Sequence, residues 1–222
     1  MKEKLDHKNY KYKSFNRMAL ELDHICESLE QKHHMQRKIN FLLDIRGYLF
    51  MNKIVGNYIE LGSYKSEMQY CAYKILNPSE CIEKFIGVDA FEEKILGTKA
   101  KQKFNSSYRD VKTFVDLFLG EKGALVKGDL RKTKIADQCV RYSKFNVAVI
   151  DCNLPSSIEA SLEIAVPNMA SGGVLFIDDY LLNFDDGKPK TEILFRKAIK
   201  KHAKNYLEHS FYAPFAKSYI IY

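Results

Sequence analysis

The chain has 222 residues, with 35 Lys+Arg against 28 Asp+Glu and a net charge of +7. A 46% apolar and 28% charged composition is that of a globular protein and excludes a disordered chain. No run of about 18 apolar residues suggests a membrane span, and the lysine-rich N-terminus lacks the apolar core of a signal peptide. The five cysteines form no CxxC pair, so they read as thiols in a cytoplasmic protein. The lysines are spread along the chain. Their densest group, Lys197, Lys200, Lys201 and Lys204, falls on the wet face of a helix. Nucleic acid is therefore not the expected partner, although an anionic small substrate would suit the charge.

Residues 1–13 are polar. From Phe15 a helical stripe runs through Met18, Ala19, Leu22, Ile25, Cys26 and Leu29, and a looser one through Met35, Ile39, Leu42, Leu43 and Leu49. Residues 1–50 thus read as two or three helices ahead of a main domain at 51–222, serving as a cover or a homodimer seam. Short runs of β-branched and aromatic residues follow: Tyr58–Leu61, Phe85–Val88, Ala124–Val126, Val147–Ile150 and Val174–Ile177. Continuous apolar runs of this length suit strands covered on both faces. Helical stripes lie between them: Met68, Cys71, Ala72, Ile75 and Leu76; Val111, Phe114, Val115 and Phe118; and Ile158, Leu162, Ala165 and Val166, which Pro167 should end or kink. The alternation predicts an α/β fold with a parallel sheet and helices on both faces. A last helix spans about Thr191 to Lys204. It precedes a hairpin of Tyr206–Tyr212 and Ser218–Tyr222, with Pro214 in the turn. Residues 91–110 are polar and long for a loop, hence a candidate lid.

Ligands of open parallel sheets bind beyond the carboxyl ends of the strands. Each of the five runs ends at or beside an acid: Glu60, Asp89, Asp129, Asp151, and Asp178 with Asp179. An acid after the second strand can accept hydrogen bonds from both ribose hydroxyls of a nucleoside. Gly62 leaves space where the first turn must approach a ligand. The chain has no GxGxxG, and Glu67 near the helix start would repel a phosphate.

The segments GNYIELGSYKSE, VDAFE, AVIDCNL and SGGVLFIDDY, in this order, resemble class I S-adenosylmethionine-dependent methyltransferases. Within them the likeness is to the macrocin and mycinamicin sugar O-methyltransferases, over about residues 50–222. The resemblance implies a Rossmann-like, mostly parallel seven-stranded sheet closed by the antiparallel hairpin. It implies S-adenosylmethionine as cofactor and a sugar, nucleotide-sugar or related polar metabolite as acceptor. Carried over, Glu60, Gly62, Ser63, Tyr64 and Ser66 would lie at the methionine end of the cofactor and Asp89 at the ribose. Ala90 and Phe91 would flank the ribose, Gly128 and Asp129 would lie near the adenine, and Asp151 beside the cofactor. Asp129 has a second reading as a cap of the following helix.

The resemblance also implies Mg²⁺ on Asp151, Asp178 and Asp179. Two carboxylates about 4 Å apart repel by roughly 4 kcal/mol at an effective dielectric of 20, so a proton or a cation is expected between them. A hard divalent ion suits such oxygens. The plainer reading makes Asp178-Asp179 a solvated strand end. The sequence departs from its likenesses at Leu154, where catechol-type enzymes carry a lysine, and at Asn153, where an acid is common. The general base is left open, with His24, His33 and His34 in the N-terminal segment and Tyr180, Lys65 and Tyr108 as candidates. Cys152 reads as a core residue. Two alternatives stand beside the sugar reading. One is a phosphorylated or other anionic acceptor served by Lys65, Arg131, Lys132, Lys188 and Lys190. The other is a non-catalytic RNA-binding or scaffold module.

Overall fold

A computed structural model describes residues 29–91, 106–181, 184–185, 188–213 and 215–222. The first stripe from Phe15 to Cys26, His24 and most of the candidate lid lie outside the described residues. The looser stripe becomes one continuous helix, α1 (Leu29–Met51). It buries Met35, Ile39, Phe41, Leu42, Ile45 and Leu49, while Leu43, counted inward from the sequence, is exposed. The burial spacing is helical, but Phe41 adds a contact the sparse stripe did not require.

The main sheet is built from β1 (Gly56–Leu61), β2 (Ile82–Asp89), β3 (Gly123–Lys127), β4 (Phe145–Ile150), β5 (Met169–Ile177), β6 (Tyr206–Tyr212) and β7 (Ala216–Ile221). Its order is β3-β2-β1-β4-β5-β7-β6. The first five strands run parallel, and β7 pairs antiparallel with both β5 and β6. This is the seven-stranded, hairpin-closed sheet expected from the sequence. A two-residue antiparallel pair, Phe184–Asp185 with Lys188–Pro189, lies outside it.

The remaining helices are α2 (Glu67–Leu76), α3 (Tyr108–Leu119), α4 (Thr133–Val140), α5 (Pro155–Asn168) and α6 (Lys190–Lys201). Period-2 alternation along the strands sends side chains to two cores. Tyr58, Val147, Val149, Val174 and Phe176 pack with α1, α2 and α3. Ile59, Leu61, Ala148, Ile150, Leu175 and Ile177 pack with α4, α5 and α6. Phe41 of α1 lies 4.5 Å from Phe176, ring centre to ring centre, so the described part of the N-terminal segment is continuous with the first core. Pro167 sits at the penultimate position of α5, where the missing N–H ends the helix. Lys197 and Lys201 on α6 pair with Glu159 and Glu163 of α5 at the surface, as expected of a solvated face. Among the described residues, no helix is long and apolar enough to cross a membrane.

Candidate functional site

The strand order reverses between β1 and β4, which opens a crevice at their carboxyl ends. Backbone hydrogen bonds draw the strand ends into one rim. Gly62 N and Ser63 N donate to Val88 O at 2.8 and 3.1 Å, and Gly128 N to Asp89 O at 2.8 Å. Asp151 N donates to Leu61 O at 2.9 Å, and Asp178 N to Ile150 O at 2.9 Å. The five strand-end acids therefore follow directly from parallel register.

Gly62 has φ +98°, and a Cβ there would lie 2.1 Å from the Asp151 carbonyl oxygen. The glycine is thus required by the close approach of β1 to β4, not only by a ligand. Gly62→Ala is expected to lower the unfolding free energy by roughly 2–3 kcal/mol through strain and overpacking, read from urea denaturation. Tyr64, Ser66 and Phe91 also hold left-handed conformations, with φ of 48, 61 and 52°. Ser66 takes by strain the conformation a glycine would adopt freely at the start of α2. The hydroxyls of Ser63 and Ser66 are buried with no hydrogen-bond partner.

Asp89 organises the turns after β1 and β2. Its Oδ2 accepts from Tyr64 N at 2.9 Å and its Oδ1 from Phe91 N at 2.8 Å. Burial pushes its carboxyl above the ordinary range, opposed by the backbone donors of Phe91, Tyr64 and Ala90. Ala90 and Phe91 are buried, and the Phe91 ring packs edge-on against Tyr108 at 5.2 Å. Asp89→Ala is expected to weaken S-adenosylhomocysteine binding by about 10- to 100-fold in a calorimetric titration, the worth of hydrogen bonds to a charged group. Asp129 is different. Arg131 donates to both its oxygens, with Nε at 2.9 Å and Nη2 at 2.6 Å, and the Arg131 backbone N–H joins them. The α4 cap position is Lys132, without a side-chain cap bond, so Asp129 does not cap that helix. The same pair ties up Arg131, one of the residues suggested for an anionic acceptor.

The β4–β5 side of the rim is where α1 matters. Lys38 Nζ lies 2.5 Å from Asp151 Oδ2 and 3.3 Å from Asp178 Oδ2. Arg37 Nη2 lies 3.3 Å from Asp178 Oδ1. His34 Nδ1 lies 3.1 Å from Asp178 Oδ2, and its Nε2 4.0 Å from Asp179 Oδ1. Burial works against the Lys38 charge, but Asp151 and Asp178 outweigh it and hold the ammonium well above its ordinary range. Burial likewise raises Asp178, yet Lys38, His34 and Arg37 bring it well below the ordinary carboxylate range. Asp179 is pushed up to about 6 by burial and by the charges of Asp178 and Asp151. Glu60 is buried, receives the Tyr58 hydroxyl at 3.2 Å, and is pushed well above its ordinary range by burial.

A three-aspartate Mg²⁺ site does not fit this arrangement. Asp151 is held by Lys38, and Asp178 is shared among Lys38, Arg37 and His34. The described side chains whose donor atoms come within 4.8 Å of one another are His34, Asp178 and Asp179. That set brings in an imidazole, which hard magnesium disfavours, and it adjoins two permanent positive charges. One acceptor atom of this set nonetheless lacks a hydrogen bond among the described residues: Asp179 Oδ1, buried and 4.0 Å from His34 Nε2. A polyol, whose hydroxyls donate, would satisfy it. Of the other base candidates, Tyr180 is buried and pushed up to about 12 by burial. Cys152 is buried and donates toward Leu61 O, as a core thiol. The side chains of His33 and Lys188 lie outside the described residues. Nothing in the sequence tied Lys38 and Arg37 to the site; the one signal was their place, one helical turn after His34, on a helix with a buried face.

No family model matches the chain, and no curated protein matches it. Solved structures do. The O-methyltransferase NovP superposes with a TM-score of 0.65 at 14% identity, over 83% of this chain and 79% of that one. The calicheamicin methyltransferase CalS11 gives 0.60 at 18% identity, over 82% and 78%. MycE of the mycinamycin pathway, in complex with Mg and SAH, gives 0.52 at 15%, over 81% of this chain and 47% of that one. The chain has the class I methyltransferase fold. In a methyltransferase fold, the crevice between β1 and β4 is the place for a ligand, and α1 lies across its β4–β5 side.

Proposed function

We propose that the protein is an S-adenosylmethionine-dependent O-methyltransferase acting on a hydroxyl of a sugar, nucleotide-sugar or related small polar metabolite. The observation that carries this reading is the convergence of Asp89, Asp151, Asp178 and Asp179 on one rim of this fold, with an acceptor atom of Asp179 left without a hydrogen bond. Similarity to NovP and CalS11, both named as methyltransferases, supports it. The cofactor, when bound, supplies an electrophilic methyl group on a sulfonium. Gly62, Ser63, Tyr64 and Ser66 shape the turn for its methionine end, and Asp89 accepts from its ribose.

A hydroxyl of the acceptor would donate to Asp179 Oδ1, which fixes one oxygen for in-line attack. His34 would take the proton: with Nδ1 turned to Asp178, Nε2 is left to face the acceptor. Lys38 offsets the charge of Asp151 and Asp178, so the negative charge growing on the acceptor oxygen meets less repulsion. The divalent ion implied by the resemblance enters no step here. An anionic acceptor is less well served, since Arg131 is held by Asp129.

The test is calorimetric binding of S-adenosylhomocysteine, followed by transfer of a labelled methyl group from S-adenosylmethionine to a panel of nucleotide sugars and free sugars. Binding with transfer to a hydroxyl supports the proposal. Absence of cofactor binding removes it, and RNA binding in its place would return the scaffold reading.

A further inference from the structure

The acid cluster that ought to collect a cation already has one from the chain. The Lys38 ammonium spans Asp151 and Asp178, the ends of adjacent strands. Its side chain is 7% accessible, and its helix is anchored by Ile39, Phe41, Leu42 and Ile45 in the core, so it is no surface lysine that could swing away. Arg37 adds a second permanent charge on the far oxygen of Asp178. A divalent ion seated between Asp151 and Asp178 would have to displace the ammonium and then sit beside the guanidinium. We infer that Lys38 is a fixed internal cation of this site, standing where a divalent metal ion would bridge Asp151 and Asp178, and that the native protein takes no such ion there.

The inference rests on the methyltransferase reading only in calling the site catalytic; the charge arrangement stands without it. Lys38 acts through the carboxylates it holds, as a positioning residue. Its removal has a consequence that a purely structural lysine would not have: Asp151, Asp178 and Asp179 become a hard-oxygen cluster short of positive charge. Affinity for a divalent ion follows the charge count of its ligands.

The experiment is titration with Mn²⁺ followed by electron paramagnetic resonance of the free ion, on the native protein, Lys38→Met and Lys38→Met/Asp178→Asn. Each sample is checked for folding by thermal denaturation and for S-adenosylhomocysteine binding by calorimetry. The native protein is expected to show no saturable site. Lys38→Met should gain one, at least about tenfold tighter than any native binding, and the added Asp178→Asn should abolish it. Should Lys38→Met fail to fold, Lys38→Gln, which keeps a donor to Asp151 without the charge, is read in the same way. A saturable native Mn²⁺ site that Asp178→Asn removes overturns the inference, and so does a folded neutral variant that gains no site. Loss of S-adenosylhomocysteine binding in the native protein would sink the methyltransferase proposal while leaving the Mn²⁺ result readable.

Discussion

Asp178→Ala is expected to lower the unfolding free energy by about 3–5 kcal/mol, measured by urea denaturation. The size comes from what the substitution leaves behind. Asp178 is fully buried, and Lys38, Arg37 and His34 all approach its two oxygens. Cutting the side chain to a methyl group strands the Arg37 guanidinium and removes half the compensation of Lys38, both on a helix that also carries core residues. Replacing the ions together should cost far less than replacing one. In a double-mutant cycle, Lys38→Met combined with Asp178→Leu should therefore recover part of the loss. The pH dependence has a definite sign. Lys38, His34 and Arg37 together hold the folded Asp178 below its ordinary value of 3.8 against the opposing effect of burial. Its contribution is present above that value and is lost as pH falls through the depressed folded value. A loss under about 1 kcal/mol, as for an exposed pair, would show that α1 does not close on the rim in solution.

Much of the fold was legible in the residues because burial on two faces leaves a plain mark. The runs at Tyr58–Leu61, Val147–Ile150 and Val174–Ile177 fall within β1, β4 and β5, since only parallel strands covered by helices need uninterrupted apolar residues. The strand-end acids were legible for the same reason: parallel register puts successive carboxyl ends on one edge. What stayed hidden was contact between distant segments. Lys38 and Asp151 are 113 residues apart, and Arg37 and Asp178 are 141 apart. A lysine in the middle of a helical stripe looks like a solvated interruption, and it is the burial of Ile39, Phe41, Leu42 and Ile45, with Phe41 packed on Phe176, that fixes this part of α1 beside the acids. The cations beside the expected metal cluster stayed hidden in the same way, because a count of acids near strand ends says nothing about which cations the rest of the chain delivers. Asp129 shows the local version. Its partner lies two residues on in the sequence, but adjacency did not reveal that Arg131 would turn back on it with Nε and Nη2 on its two oxygens.

His34 is the substitution with the largest expected effect on turnover. His34→Ala should lower kcat by about 10²- to 10⁴-fold, the range for loss of a positioned proton acceptor. S-adenosylhomocysteine affinity should hold, because the ion pairs of His34 run to Asp178 and Asp179 at the end of β5, not to Asp89. The neighbouring groups are poorly suited to take a proton. Lys38 is held in its charged form by Asp151 and Asp178, and Tyr180 packs into the opposite core. His34 differs from both: its side chain is 38% accessible, enough to meet an acceptor, and Asp178 orients one ring nitrogen while the other points toward Asp179. Asp179, pushed up to about 6, is the competing base. The two can be separated by steady-state kinetics on His34→Ala and Asp179→Asn. A base leaves cofactor binding intact and lowers kcat, whereas a residue that only holds the acceptor's hydroxyl raises KM more than it lowers kcat. If Asp179→Asn shows the large kcat loss and His34→Ala a small one, the proton goes to the carboxylate, and the histidine on α1 serves only to close the rim.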